Sequence, residues 1–148
     1  MATSNPTSVL FCCDHNSIRS PMAEGLLKQH VGTKIFVQSA GVKGDMDIDG
    51  FTIAVCREVG VELSRHRVRT FDDMMQWGDD LDSYDLIVAL SPASQRRALE
   101  YTRFYALEVE YWPTMDPSGF GDDREAKMER YRQLREQLSA RIKARFPQ

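Results

Sequence analysis

Short apolar segments that alternate with helical segments are the feature that most restricts how this chain can fold. Val9–Cys13 is an apolar run of strand length. It is followed by Ser20–His30, whose apolar residues recur at helical spacing and whose Pro21 falls in the first turn, where proline is tolerated. Strands that alternate with helices favour parallel pairing, because a helix carries the chain from one strand to the next. The pattern therefore predicts an α/β fold of three layers, with a parallel sheet between two layers of helices.

The alternation continues to the end of the chain. The further predicted strands are Lys34–Gln38, Tyr84–Leu90 and Leu107–Tyr111, and the further predicted helices are Phe51–Val59, Ser91–Tyr101 and Asp122–Arg145. Gly60 is placed to end the helix before it, and Ser91 and Pro92 are suited to the N-cap and first position of the next. Together with the first strand, this gives a four-stranded sheet. The 148 residues contain no internal repeat or linker, so a single domain over residues 1–148 is expected.

Charge and cysteine content exclude several classes of protein. The net charge of −3 gives no basic face of the kind that binds nucleic acid. No apolar run approaches the roughly 18 residues that span a membrane, and the first residues, MATSNPTS, do not resemble a signal peptide. Three cysteines, two of them adjacent, make a poor disulfide framework. They fit a reducing compartment, so a cytoplasmic protein is expected.

The loop after the first strand has the residues of an anion site. Cys13 to Arg19 reads CDHNSIR, and a loop that runs from a strand into a helix turns backbone N–H groups inward. Arg19 adds a planar fork that holds two oxygens. This positive potential favours the thiolate of Cys13 as a nucleophile, and Ser20 is placed to donate a hydrogen bond to it. The alternative for Cys13 is an inert buried thiol, but the spacing to Arg19 favours attack on a tetrahedral oxyanion ester.

A leaving group needs a proton, and the best candidate donor lies far downstream. Asp116 precedes Pro117, which favours an extended loop conformation. That loop follows the fourth strand, so it lies at the same edge of the sheet as Cys13. Asp116 is therefore predicted to act as general acid and then as general base. The alternative is a simple turn, because Asp-Pro is a common turn pair.

The stretch VLFCCDHNSIRSPMAEG, from Val9 to Gly25, resembles the phosphate-binding loop of the low-molecular-weight protein tyrosine phosphatases. Further segments agree in order: VQSAGV at 37–42, GVELSRHRVR at 60–69, YDLIVAL at 84–90 and DP at 116–117. The resemblance covers almost the whole chain. It implies a four-stranded parallel sheet with the phosphate-binding loop after the first strand, no metal and no cofactor. It also implies a cysteinyl-phosphate mechanism in which Cys13, Arg19 and Asp116 are catalytic.

The same resemblance implies further roles for residues in and around the loop. Phosphate would be held by Asp14, His15, Asn16, Ser17, Ile18, Arg19 and Ser20, and the loop would be supported by a network of Asn16, Ser20, Ser39 and His66. The expected substrates are phosphorylated proteins, phosphotyrosine above all, or small phosphate esters. Inhibition by oxyanions such as phosphate and a monomeric state are also expected.

The chain departs from the family pattern inside the loop. Ile18 stands where these phosphatases often have a second, redox-active cysteine, so that form of redox control is absent. The extra cysteine, Cys12, precedes the nucleophile and should point away from the pocket, because side chains alternate along a strand. Asp14 and His15 replace an apolar residue and a glycine. Asp14 is expected to weaken the binding of dianions.

Two departures lie outside the loop. Ser118 and Gly119 follow the Asp-Pro pair where the family has an aromatic wall for phosphotyrosine, and Phe120 is the nearest substitute. Ser91 stands where the family has an aspartate that helps to hold the loop arginine. The sequence therefore leaves the anchor of Arg19 open.

Two other functions remain open from the sequence. Arsenate reductases are similar in fold and loop, and the segment HNSIRS is typical of some of them. The thioredoxin-coupled type needs two further cysteines, and here only Cys56 follows the loop, on a helix where it is expected to be part of the core. A reductase that uses a small-molecule thiol needs only Cys13. A non-catalytic phosphate-binding domain is the third reading, suggested by Asp14, His15 and Ser91.

Overall fold

A computed structural model describes residues 5–119 and 123–148 of the chain. In this part of the chain, four parallel strands form one sheet with the order β2-β1-β3-β4. The strands are β1 (Ser8–Cys13), β2 (Phe36–Gly41), β3 (Leu86–Ala89) and β4 (Glu108–Tyr111). After β1 the chain forms β2 on one side of it, and then forms β3 and β4 on the other side. The carboxyl end of β1 is thus the switch point at which ligands bind in such sheets.

Helices cover both faces of the sheet, as predicted. They are α1 (Arg19–Val31), α2 (Gly50–Arg57), α3 (Phe71–Gln76), α4 (Pro92–Tyr101) and α5 (Arg124–Arg145), with a short 3-10 helix at Leu81–Ser83. One core lies between the sheet and α1, α2 and α5, and a second lies under α3 and α4. Among the residues described, no helix is both long and apolar enough to cross a membrane.

All six residues of β1 are buried, because both faces of this central strand are covered. Val9, Phe11 and Cys13 belong to the core beneath α1 and α5. Leu10 and Cys12 belong to the core beneath α3 and α4. The alternation of side chains along a strand therefore places the two adjacent cysteines on opposite faces. The prediction that Cys12 points away from the pocket is confirmed.

The second strand ends later than predicted, and the difference bears on the site. The apolar run suggested Lys34–Gln38, but β2 continues to Gly41, which pairs with Cys13. A Cβ atom at Gly41 would lie 2.7 Å from both the backbone N of Asn16 and the carbonyl carbon of His15. Glycine is therefore required here, because the loop after β1 passes directly over the end of β2.

Helix ends follow their capping residues. Ser91 is the N-cap of α4 and Pro92 its first residue, as predicted. The last helix begins at Arg124 rather than Asp122, because the Asp123 carboxylate accepts a hydrogen bond from the first turn and acts as N-cap. Helix α3 was not predicted, although Thr70 closes its first turn with a reciprocal capping box.

Candidate active site

A cavity of about 80 Å³ opens at the carboxyl end of β1. Its lining residues come from the loops after β1, β2 and β4: Cys13, Asp14, His15, Ser17, Ile18, Arg19, Met46, Asp116 and Ser118. This volume is far below the roughly 300–1,000 Å³ of sites that enclose a drug-sized ligand. Grooves of about 400 and 470 Å³ lie along α1, but no cysteine lines them. The small cavity suits one small anion and brings together the three residues predicted to be catalytic.

The loop from Asp14 to Ile18 offers unpaired backbone donors. Asn16 has a φ of 56°, a left-handed conformation that asparagine tolerates better than most residues. Among the described residues, the backbone N–H groups of 14–18 donate to no other protein group. The N-terminus of α1 follows at Arg19 and adds the positive end of its dipole. Such a loop is suited to surround an oxyanion.

The thiol of Cys13 lies against Ser20. Its Sγ is 3.0 Å from the hydroxyl oxygen of Ser20 and accepts the Ser20 backbone N–H at 3.4 Å. The side-chain amide of Asn16 donates to the same hydroxyl oxygen at 2.8 Å. The hydroxyl of Ser20 can therefore donate to Sγ, which is nearer than its other acceptor, the carbonyl of Ala40 at 3.5 Å. Both bonds suit a sulfur that carries negative charge.

Asn16 is the centre of the buried network beneath the cysteine. Its Nδ2 also donates to the hydroxyl of Ser39 at 2.9 Å, while its Oδ1 accepts from Nε2 of His66 at 3.0 Å and from the backbone N–H of Arg69 at 3.1 Å. All the hydrogen-bonding positions of this fully buried amide are thus used. The structure brings together the four residues predicted to support the loop, and the Arg69 amide joins them.

Glu24 is a member of this network that the sequence reasoning missed. One of its carboxylate oxygens accepts a 2.5 Å hydrogen bond from Ser39, and the other pairs with Lys28. Nδ1 of His66 lies 4.0 Å from Glu24, which raises the His66 pKa, but burial has the larger effect and lowers it. A neutral His66 with a proton on Nε2 fits its bond to Asn16. Glu24 lies four residues after Ser20 on the same helix face, but this spacing alone does not indicate its contact with Ser39 on β2.

The anchor of Arg19 is now visible. Its buried guanidinium donates from Nη1 to the carbonyls of Thr114 and Leu90, at 3.1 and 3.4 Å, and its Nη2 lies 3.4 Å from Oδ2 of Asp14. The hydroxyl of Ser91 instead caps α4. The carboxylate partner of the loop arginine is therefore supplied from within the loop, by Asp14.

The mouth of the cavity is polar and exposed. Asp116 accepts hydrogen bonds from the backbone N–H and hydroxyl of Ser118 at 3.0 and 2.7 Å, and its side chain reaches the same cavity as Cys13. Nδ1 of His15 is 2.6 Å from a carboxylate oxygen of Asp45, and this hydrogen bond lowers the Asp45 pKa. Phe120, suggested as a substitute aromatic wall, lies outside the described residues.

Ser17 and Ile18 complete the loop. The hydroxyl of Ser17 donates to the carbonyl of Asp47 at 2.7 Å, which ties the loop to the segment after β2. Its backbone N–H remains the donor that Ser17 offers to an anion. Ile18 lines the cavity with an apolar side chain and precedes α1 as its N-cap.

The other two cysteines lack the partners of Cys13. Cys12 is fully buried on the opposite face of the sheet, and burial raises its pKa far above the ordinary range. Burial also raises the pKa of Cys56 to about 12, and its place in the core is as predicted. Both thiols are therefore protonated at neutral pH and enclosed by protein.

Known proteins with this sequence pattern fall into two classes. A family model described as low molecular weight phosphotyrosine protein phosphatase matches residues 8–145. A curated relative from Synechocystis sp., named glutaredoxin arsenate reductase, is 30% identical over 134 residues, which cover 90% of this chain and 92% of the relative. The sequence is thus similar both to a phosphatase family and to an arsenate reductase.

Solved structures show the same division. A structure titled an arsenate reductase in the phosphate binding state is similar with a TM-score of 0.75 and 27% identity, and covers 93% of this chain and 95% of that one. A low molecular weight protein tyrosine phosphatase from T. tengcongensis has a TM-score of 0.72 and 26% identity, with 92% and 95% covered. One fold therefore serves both classes, and similarity alone does not separate them.

Proposed function

Because the chain belongs to the low molecular weight phosphotyrosine protein phosphatase family, whose catalysis depends on a cysteine, we propose that it hydrolyses phosphomonoesters through a cysteinyl-phosphate intermediate. Protein phosphotyrosine is the proposed physiological substrate, on the strength of the family. The single observation that carries the proposal is one cavity that holds Cys13, Arg19 and Asp116 together.

The geometry supports a two-step reaction. Sγ of Cys13 attacks phosphorus, the guanidinium of Arg19 and the loop N–H groups stabilise charge on the equatorial oxygens, and the bond to the leaving oxygen breaks. Asp116 gives that oxygen a proton. In the second step Asp116 takes a proton from water, whose oxygen bonds to phosphorus as the S–P bond breaks. Ser20 stabilises the departing thiolate through the 3.0 Å contact of its hydroxyl with Sγ.

The size of the cavity sets how a substrate is bound. About 80 Å³ accommodates the phosphoryl group, so the rest of an ester projects past the mouth. Met46 and Ile18 supply the apolar surface there. Inorganic phosphate, as product, occupies the same loop and is proposed to inhibit.

Hydrolysis of p-nitrophenyl phosphate tests the proposal. Cys13→Ser is expected to lower turnover by at least about 10³-fold and Asp116→Asn by about 10²–10⁴-fold, while the latter still binds phosphate. Cys12→Ala is the matched control, because it removes the neighbouring thiol on the opposite face and should retain most of the rate. Comparable turnover in Cys13→Ser would rule the mechanism out.

Arsenate reduction is the second candidate, because the Synechocystis relative and the phosphate-bound structure are both named arsenate reductases. Arsenate is a tetrahedral oxyanion that the same loop can hold. The sulfur of Cys13 would bond to arsenic, and the thiol proton would leave with an arsenate hydroxyl as water. An external thiol would then attack Sγ, form a mixed disulfide and leave two electrons on arsenic as arsenite.

An external thiol is needed in that reaction because the chain offers no internal partner for Cys13. Cys12 lies on the opposite face of the sheet and Cys56 is enclosed in the core. Arsenite formation from arsenate, measured with glutathione and glutaredoxin and with Cys13→Ser as control, separates this candidate from the phosphatase. Phosphate binding without either activity would indicate a binding domain.

A further inference from the structure

Asp14 carries an acceptor that no described residue of the protein uses. Its Oδ1 is shielded from solvent and has no hydrogen-bond partner among the described residues. Its Oδ2 makes a 3.4 Å contact with Nη2 of Arg19. A carboxylate accepts up to about four hydrogen bonds, and leaving a buried acceptor unpaired is costly. Asp14 also lines the anion cavity, so a ligand bound there is the candidate donor to this carboxylate.

The neighbouring side chains do not supply that donor. His15, Ser17 and Ser118 line the same cavity, but none of them donates to Asp14: Nδ1 of His15 and the two serine hydroxyls are engaged with other residues. Arg19 reaches only the other oxygen of the carboxylate, and over a long distance. The remaining candidate donor to the Asp14 carboxylate is a hydroxyl group on the bound oxyanion.

We propose that Asp14 selects oxyanions that retain a hydroxyl group and disfavours those that are fully deprotonated. This deepens the proposed function and rests on it, since the same loop and cavity are involved. The class comprises inorganic phosphate, arsenate and the monoanionic form of a phosphate ester. A ligand oxygen that carries no proton would face the Asp14 carboxylate as a second acceptor, with no hydrogen between them. A site that accepts a hydrogen bond from a ligand hydroxyl therefore rejects the analogue that lacks this hydroxyl.

The proposal has a direct consequence for the two candidate reactions. A phosphate monoester loses its last proton near about pH 6, so the accepted form becomes scarce at neutral pH. Inorganic phosphate and arsenate keep a hydroxyl throughout the neutral range. Ester hydrolysis is therefore favoured in mild acid, whereas free oxyanions bind well at neutral pH.

Phosphate and sulfate are the probes that isolate this effect. Both are tetrahedral and both are dianions at mildly alkaline pH, but only phosphate carries a hydroxyl. Calorimetric titration of the full chain at constant low ionic strength should show phosphate binding roughly ten- to a hundredfold more tightly than sulfate. Equal affinities would overturn the proposal, and this measurement needs no variant.

Two variants distinguish the effect of the Asp14 hydrogen-bond acceptor from the effect of its negative charge. In Asp14→Asn an amide donor replaces the acceptor, so the phosphate-to-sulfate ratio should fall by about tenfold or more, chiefly because sulfate binds more tightly. Asp45→Asn is the matched control, because it removes one carboxylate at the mouth that is already engaged with His15. Its ratio should stay at the parental value. An unchanged ratio in Asp14→Asn, or an equal fall in both variants, would contradict the proposal.

Turnover of p-nitrophenyl phosphate on the same preparations keeps the two proposals apart. Cys13-dependent turnover with equal phosphate and sulfate affinities would refute the role of Asp14 and leave the phosphatase. A high ratio without turnover would refute the phosphatase and leave Asp14 as the group that selects the bound oxyanion.

Discussion

The buried floor beneath Cys13 and the exposed mouth above it use hydrogen bonds in opposite ways. The floor comprises Asn16, Ser20, Glu24, Ser39 and His66, and the mouth comprises Asp14, His15, Asp45 and Asp116. In the floor, the Asn16 amide uses every hydrogen-bonding position on protein partners. In the mouth, one carboxylate oxygen of Asp14 has no partner among the residues that the structure describes. The floor is complete without a ligand, and the mouth is not.

This difference assigns separate tasks to the two regions. A fully satisfied buried network is rigid, so the floor fixes the position of Cys13, the proposed nucleophile, and the shape of the loop. Exposed ion pairs contribute little to stability, so residues of the mouth are free to vary in charge and to choose the ligand. The departures from the phosphatase pattern at Asp14 and His15 lie in the mouth, whereas the floor keeps the residues that the family resemblance implied.

Arg19 joins the two regions, and among the variants that compare floor and mouth its replacement should have the largest effect. Lysine keeps the charge but cannot hold the carbonyls of Thr114 and Leu90 and two oxyanion oxygens at once, because it lacks a planar fork. Arg19→Lys is expected to lower kcat/KM for p-nitrophenyl phosphate by about 10²–10³-fold. A loss below about tenfold would show that charge alone is required.

Removing the centre of the floor should destabilise the protein. Asn16→Ala leaves Ser20, Ser39 and His66 without their shared partner and places alanine at a φ of 56°. The free energy of unfolding in urea is expected to fall by about 3 kcal/mol. Asn16→Gly removes the same hydrogen bonds without the strained φ, so it separates the two causes.

Asp45→Asn is the variant in the mouth that is compared with Asn16→Ala in the floor. Its side chain is 59% exposed and pairs only with His15 among the described residues. The free energy of unfolding should change by less than about 0.5 kcal/mol in the same urea experiment. A loss as large as that of Asn16→Ala would remove the distinction between floor and mouth.

The stability of the floor should also depend on pH. Burial lowers the pKa of His66 below 6.5, so between the two values the unfolded chain binds more protons than the native one. The stability that the neutral His66 contributes is therefore complete above about pH 6.5 and is lost as pH falls through the lowered native pKa. In His66→Gln, urea unfolding over this range should show a shallower slope with pH. An identical slope in variant and parent would contradict this role.

Much of the site was predictable from the sequence, because its residues lie close together in the chain or match the family pattern. The remaining contacts depend on how distant segments pack. The spacing of Cys13, Arg19 and Ser20 placed these three residues together, whereas the role of Asn16 came from the family resemblance. Glu24 was missed because its contact with Ser39 joins α1 to β2 across 15 residues of sequence. The pairing of Asp14 with Arg19 also escaped prediction, since it depends on how a side chain turns within the loop. Helix α3 was missed because its six residues, FDDMMQ, are too short for a periodic signal.

The central claim is that the floor holds Cys13 as the nucleophile, and trapping the intermediate tests it most directly. The parent chain is mixed rapidly with p-nitrophenyl phosphate, quenched in acid and digested, and the peptide that contains Cys12 and Cys13 is fragmented by mass spectrometry. One phosphoryl group on the sulfur of Cys13, absent in Cys13→Ser, is the predicted result. Steady turnover with no phosphoryl group on Cys13, or with the group on His15, would contradict the account.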